Sequence, residues 1–198
     1  MTNHRPIEQG IRQKQRLRQT RILVHSAMWV ALSVVLIMLI QIPLFAAAPW
    51  MKYDMADVPV IIASLYLGPV SGLLILAAAS LIQAIYFGGD GLVGFLMHFI
   101  ASGCLVFITG YVYRRKQSIG GLMIGLIGGA IAMVVMMVPM NLIFTVHFYG
   151  VPAETVKAML GPVIIPFNAI KAGLNAGISF LVYQMLVKRS AFFDFSQK

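Results

Sequence analysis

The chain has 198 residues, of which 60% are hydrophobic and only 11% are charged, and its mean hydropathy is +0.87. Long apolar stretches cannot remain solvated in water, so this composition excludes a soluble globular protein and indicates an integral membrane protein. The formal net charge of +9 does not indicate nucleic-acid binding, because most basic residues lie beside apolar runs, where they set membrane topology.

Basic residues precede, interrupt and follow the apolar segments. Residues 1–21 carry six Lys and Arg, a basic run occupies 114–116, and Lys188 and Arg189 follow the last segment. Under the positive-inside rule these groups face the cytoplasm. We therefore predict an all-α integral membrane protein with six transmembrane helices and both termini cytoplasmic. Its parts are a basic arm on anionic headgroups, a membrane domain and a cytoplasmic tail, over residues 1–21, 22–187 and 188–198.

The six apolar segments are predicted over residues 22–42, 59–67, 70–87, 92–113, 119–148 and 162–187. The second is short for a complete span and ends at Gly68-Pro69. Asp57 stands two residues before Pro59, an arrangement typical of a helix N-terminus, so we expect Asp57 to cap this helix.

Small residues at four-residue spacing predict close contacts between helices. Ala27 and Ala31 form such a pair in the first segment. Gly121, Gly125 and Gly129 form a longer series in the fifth. We expect both to let another helix approach closely.

Two outer loops connect the segments. Residues 43–54, here called the lid loop, are rich in proline and interfacial aromatic residues and are long enough to cover a site. Tyr53 and Asp54, at its end, are candidate ligand-binding residues. Residues 149–161 form the second loop.

The last segment carries a polar stripe. Asn168, Lys171, Asn175 and Ser179 follow one another at steps of three, four and four, which places them on one face of a helix. A charged residue inside a membrane helix costs about 2.5 to 3.5 kcal/mol on insertion scales, so it normally faces a partner, a cavity or water. Lys171 is therefore a functional candidate, and Asn141 is the second strong polar feature of the membrane core.

These side chains favour a small-molecule site over a catalytic one. Asparagine presents an acceptor and two donor hydrogens, and lysine adds a charged donor, so together they can bind a planar edge of alternating C=O and N–H groups. The sequence has no phosphate-binding GxxxxGK[ST] loop, no GxSxG and no HExxH motif, and its acidic residues are assigned to loops. The single histidines His25, His98 and His147 lack metal-ligand spacing, so neither an enzyme nor a metal site is expected.

Several of these motifs together resemble the riboflavin-specific S component of energy-coupling factor (ECF) transporters. The most specific part is Ile164-Ile-Pro-Phe-Asn-x-x-Lys171. The other matching features are Asp54-x-x-Asp57-x-Pro59, the Leu67-Gly68-Pro69 turn, Gly89-Asp90, and Asn141 followed by Tyr149-Gly150. The resemblance extends from about residue 22 to 186.

The resemblance implies a six-helix binding protein of the prokaryotic plasma membrane with a pocket that opens outward. It implies riboflavin as the transported ligand, with no cofactor, and implies that Asn141, Asn168 and Lys171 bind the isoalloxazine ring. Asn175, Tyr53 and Asp54 complete the candidate site. Its implied partners are a transmembrane coupling subunit, which contacts Ala27 and Ala31, and two ATPase subunits. Two positions depart from the family pattern. Ala172 stands where the pattern has glycine, and His98 stands where an amide is common.

Three alternatives stay open from the sequence alone. FMN could replace riboflavin, or the chain could be an S component for another vitamin such as pantothenate, folate or thiamine. A stand-alone facilitator or a membrane scaffold is the third. In a scaffold, Asn168 and Lys171 would pair with residues of the same bundle.

Overall fold

A computed structural model describes residues 5–46, 48, 51–87 and 91–188. The predicted tail after Lys188, the first residues of the basic arm and Asp90 lie outside these residues. Helices account for nearly all of the described chain. They are α1 (Arg5–Leu39), α2 (Asp57–Leu67), α3 (Pro69–Tyr86), α4 (Gly91–Arg115), α5 (Ile119–Met140), α6 (Ala153–Met159) and α7 (Ile165–Lys188).

Two helices contain π-helical turns at the ends predicted to face outward. Asn141–Thr145 continues α5, and Leu160–Ile164 joins α6 to α7. Within the described ranges, five helices are long and apolar enough to cross a membrane, counting α6 and α7 together as one. The remaining predicted segment, the second in chain order, is the shorter apolar helix α2.

Two stretches are more helical than the sequence predicts. The helix α1 begins at Arg5, so the basic residues that we assign to an arm share one helix with the first apolar segment. The second outer loop contains α6, where the prediction of a loop is wrong. Its sequence, AETVKAM, is rich in helix-forming residues, an exposed Lys157–Glu154 pair at 2.9 Å lies on it, and Val156 is buried.

The short helix α2 lies in the centre of the bundle, where its residues 57–65 are all buried. Its last residue precedes Gly68, which lies beside the Arg114 guanidinium at the predicted cytoplasmic surface. Eleven residues extend about 16 Å, roughly half of a hydrocarbon core about 30 Å thick. The helix therefore begins about halfway through the membrane, and the chain before it must descend into the bundle.

The lid loop is closed at its base by a short antiparallel ladder. Strand β1 (Ile42–Pro43) pairs with β2 (Lys52–Tyr53), with Ile42 opposite Tyr53. Tyr53 and Asp54 are almost completely buried, as is Ala48 within the loop. The two candidate residues thus enter the protein interior from the loop.

Two members of the α5 glycine series, Gly125 and Gly129, lie against α4, as the spacing predicts, and Gly121 lies against Lys116 in the turn between the two helices. A Cβ atom built on Gly129 would lie 2.8 Å from the Leu105 carbonyl oxygen, and one on Gly125 would lie 3.0 Å from that of Thr109. Thr109 Oγ1 donates a hydrogen bond of 3.1 Å to the Gly125 carbonyl. Only glycine permits this separation of the two backbones.

Gly129→Ala is expected to destabilise the isolated protein by about 1–3 kcal/mol, because the methyl group would push α5 away from α4. Gly177→Ala in α7 is the matched control, since a Cβ there meets no atom within 4 Å. The control is expected to leave stability unchanged or raise it slightly, because alanine favours a helix over glycine. Thermal unfolding in detergent measures both, and equal midpoints would contradict the packing.

Candidate ligand-binding site

The polar stripe of α7 faces the interior of the bundle. Asn168, Lys171, Asn175 and Ser179 are each at most 6% exposed. The three-four-four spacing therefore predicts the buried face correctly. A buried ammonium group requires a partner, because its desolvation costs several kcal/mol.

The partner of Lys171 is Asp54 from the lid loop. Lys171 Nζ lies 2.9 Å from Asp54 Oδ2, and both side chains are nearly inaccessible to solvent. The other carboxylate oxygen of Asp54 accepts a 3.1 Å hydrogen bond from the Ala56 amide. The loop carboxylate and the helix ammonium thus neutralise each other inside the protein.

A second connection from the lid loop to α7 lies one helical turn further on. The Tyr53 hydroxyl donates to Asn175 Oδ1 at 3.1 Å. Asn175 Nδ2 donates in turn to Asp57 Oδ2 at 3.2 Å, and Ser102 Oγ donates to the same oxygen at 3.0 Å. These hydrogen bonds join β2, α2, α4 and α7 in one network.

Asp57 does not cap α2, so that prediction is wrong. The N-cap residue is Ala56, which has helical backbone angles, and it makes no side-chain capping bond. Asp57 is fully buried in the first helical turn. Because α2 begins inside the bundle, side chains of neighbouring helices surround the Asp57 carboxylate. They provide its hydrogen bonds in place of water and of the backbone amides that a capping residue would bind.

His98 has a more specific position than an ordinary polar role predicts. Its Nε2 lies 3.3 Å from Asp57 Oδ1 and makes an ion pair with Asp57 when the ring is protonated, although that oxygen accepts no hydrogen bond. The assignment of acidic residues to loops alone is therefore also wrong, since Asp57 belongs to a buried helix. One sequence signal could have indicated that Asp57 is buried. The run that follows it in α2 is apolar on all sides, and a solvated first turn is unfavourable for a helix that is buried on all sides.

Asn141 and Asn168 lie apart from this network. Asn141 Nδ2 donates to the Met137 carbonyl and Asn168 Nδ2 to the Ile164 carbonyl, each at 2.8 Å and four residues back in its own helix. Across the described residues, neither amide has a hydrogen bond to Lys171. The structure thus links four of the six candidate residues by hydrogen bonds, and it leaves Asn168 on α7 and Asn141 at the end of α5 without such a link.

Asn141 begins the π-helical turn of α5, and its Oδ1 accepts a 3.3 Å hydrogen bond from Thr145. Such turns are frequent at functional sites, because they widen the helix and turn a side chain away from the regular path. Asn168 is similarly close to the π-helical turn that precedes α7. Asn141 therefore stands within a π-helical turn, and Asn168 lies in regular α-helix just after one.

The other predicted contact surface is on α1. Ala27 and Ala31 are exposed and line a groove of about 860 Å³ between α1 and α3. The α3 wall consists of small and aliphatic residues, namely Ser71, Leu74, Ile75, Ala78 and Ile82. Within the part of the chain that the structure describes, the alanine pair therefore faces an open groove instead of a closely packed helix.

A family model described as "ECF transporter, substrate-specific component" matches residues 21–183. The chain belongs to this family. The ECF substrate-specific component is a transporter subunit and not an enzyme, and the chain is a multi-pass protein of the prokaryotic cell membrane.

Relatives match this ECF substrate-specific component over most of their length. Riboflavin transporter RibU of Staphylococcus aureus is 28% identical, over 88% of this chain and 95% of the relative. Riboflavin transporter FmnP of Bacillus subtilis is 30% identical, over 74% and 82%. RibU of Lactococcus lactis is 27% identical, over 87% and 96%.

A solved structure described as the S component of a bacterial ECF transporter shares the fold. It superposes with a TM-score of 0.76 at 27% identity, covering 87% of this chain and 99% of the solved chain. The predicted fold class, an S-component bundle of six membrane helices, is confirmed by this likeness.

Proposed function

We propose that this substrate-specific component binds riboflavin within its helical bundle and delivers it inward with the other subunits of an ECF transporter. The observation that carries the proposal is the buried polar cluster on α7, which is linked to the lid loop by Lys171–Asp54 and Asn175–Tyr53. The relatives in three bacteria are all named riboflavin transporters, which supports the choice of ligand.

The chemistry of the cluster suits the isoalloxazine ring. Its pyrimidine edge alternates C=O and N–H groups, and asparagine side chains can both donate to and accept from such an edge. An ammonium group has three hydrogens, and Asp54 receives one, so Lys171 retains donors for a ligand carbonyl. We assign Asn141 and Asn168 to the same site on the basis of the motif that they share with riboflavin-type S components.

The scaffold alternative also predicts that Lys171 pairs within the bundle, so the Lys171–Asp54 pair does not distinguish the two functions. Membership of a transporter family favours ligand binding. Interhelical polar contacts in membranes contribute only about 0.6 kcal/mol on average, so a buried lysine is a costly means of holding helices together.

For partners, we propose a transmembrane coupling subunit and two ATPase subunits. The groove lined by Ala27 and Ala31 is the proposed contact for the coupling subunit, since small exposed residues let a helix approach closely. Capture would occur with the lid loop closing over the ligand. Association with the partners would then reorient the helices and open the site inward.

The test is to purify the protein in detergent, record its absorption spectrum and titrate it with riboflavin while measuring quenching of flavin fluorescence. We expect a yellow protein, or quenching that saturates at about one riboflavin per chain. FMN, pantothenate, folate and thiamine are tested in parallel by competition. A colourless protein without quenching would refute riboflavin binding and leave another vitamin as the ligand.

A further inference from the structure

We infer that Asp57 is a positioning residue of the ligand site, which sets the orientation of the Asn175 amide and, through it, the position of the Tyr53 hydroxyl. This inference rests on the proposed function, because Tyr53 and Asn175 are candidate ligand residues. It concerns a residue that the sequence assigns only to helix capping.

The first step is the direction of the hydrogen bonds. An ionised carboxylate only accepts, so the side chain of Asn175 must turn its Nδ2 toward Asp57 Oδ2. The amide oxygen then points the other way, toward Tyr53. The tyrosine hydroxyl consequently donates to Asn175 Oδ1, which leaves its oxygen able to accept a hydrogen bond from a ligand.

The second step is the support of Asp57 itself. Ser102 donates to the same oxygen that receives Asn175, and His98 lies 3.3 Å from the other oxygen, so α4 holds the carboxylate from one side. Ser33 on α1 donates a 2.5 Å hydrogen bond to the Ala56 carbonyl, immediately before Asp57. Thus α4 holds the Asp57 carboxylate and α1 holds the backbone beside it, and the side chain has no access to solvent.

The third step connects this support to the lid loop. Tyr53 is adjacent in sequence to Asp54, and their partners Asn175 and Lys171 stand one turn apart on α7. The orientation set by Asp57 thus determines one of the two hydrogen-bonded connections that side chains of the described loop residues make to α7. Loss of that orientation should loosen the loop and misplace Tyr53 without removing either side chain.

The first experiment is a double-mutant cycle of riboflavin affinity with Asp57→Asn and Tyr53→Phe. An amide at position 57 can present either its oxygen or its NH₂ group, so it no longer dictates the orientation of Asn175. In the wild-type background we expect Asp57→Asn to weaken riboflavin binding about tenfold, the effect of one misaligned buried hydrogen bond. In the Tyr53→Phe background the same substitution should change the affinity little. Equal effects in both backgrounds would overturn the inference, since Asp57 would then act independently of Tyr53.

Two further variants separate positioning from general loss of structure. Thr109→Val removes a buried hydrogen bond on α4 remote from the network and is expected to keep wild-type affinity. His98→Gln retains a polar N–H group beside Asp57 Oδ1, whereas His98→Leu removes it, so His98→Gln should bind riboflavin more tightly than His98→Leu. Equal affinity of the two His98 variants would contradict support of Asp57 by this side chain.

Hydrogen exchange without ligand tests the inference separately from the proposed function. Asp57→Asn is expected to speed exchange of the backbone amides in the β1–β2 ladder, and Thr109→Val is not. If wild-type protein fails to bind riboflavin while this difference appears, the choice of ligand is wrong and the positioning role stands. Unchanged ladder exchange in Asp57→Asn would overturn the role itself.

Discussion

Lys171→Met is expected to abolish riboflavin binding and to lower the free energy of unfolding by about 3–5 kcal/mol. The stability loss arises because Asp54 would remain buried without its partner, 2.9 Å away in the wild type. The double variant Lys171→Met/Asp54→Asn removes both charges, so it should regain most of the stability while riboflavin binding stays lost. Fluorescence titration and thermal unfolding in the same detergent measure the two effects.

Asn168→Ala is the companion variant, because among the described residues the Asn168 amide hydrogen-bonds only to the Ile164 carbonyl one turn before it. It should weaken riboflavin binding with little loss of stability. Normal affinity in both Lys171→Met and Asn168→Ala would remove the site assignment. A double Lys171/Asp54 variant that is no more stable than Lys171→Met would contradict the buried ion pair.

The second large effect is expected on transport, with ligand binding unchanged. Ala27→Trp combined with Ala31→Trp would fill the groove between α1 and α3 with two indole rings. The groove is the proposed contact with the coupling subunit, so riboflavin uptake by cells should fall to background while the purified variant still binds riboflavin. Uptake is measured in cells that express the variant with the complete transporter, and binding is measured on the same variant after purification.

Met28→Trp is the matched control for this variant. Met28 lies between the two alanines on α1, is 64% exposed and does not line the groove. It should retain uptake. Retained uptake in the Ala27→Trp/Ala31→Trp variant, or loss of uptake in Met28→Trp, would count against the groove as the contact surface.

The sequence predicts the helices better than it predicts the interior. Long apolar runs define α1, α3, α4, α5 and α7 directly, and the spacing of the α7 stripe predicts its buried face. The ladder and α6 are missed, since a two-residue strand and a seven-residue helix leave almost no periodic signal.

Asp57 shows why the remaining errors arose. Local pattern assigns an aspartate near a proline to a helix cap in a solvated loop. Its partners are His98, Ser102 and Asn175, which are 41 to 118 residues away in the chain. No local pattern carries this information. Their position at the end of the lid loop makes Tyr53 and Asp54 candidates, but it does not explain how a loop residue reaches the membrane interior.

The contacts of the lid loop have a consequence for how the protein is made. Lys171 and Asn175 follow their partners by 117 to 122 residues, so α7 is synthesised long after α2 has left the ribosome. Until then Asp54 and Asp57 lack these partners, and a bare carboxylate is unfavourable in lipid. Insertion of α7 therefore completes the neutralisation of the interior, and the ligand site is among the last parts of the protein to assemble.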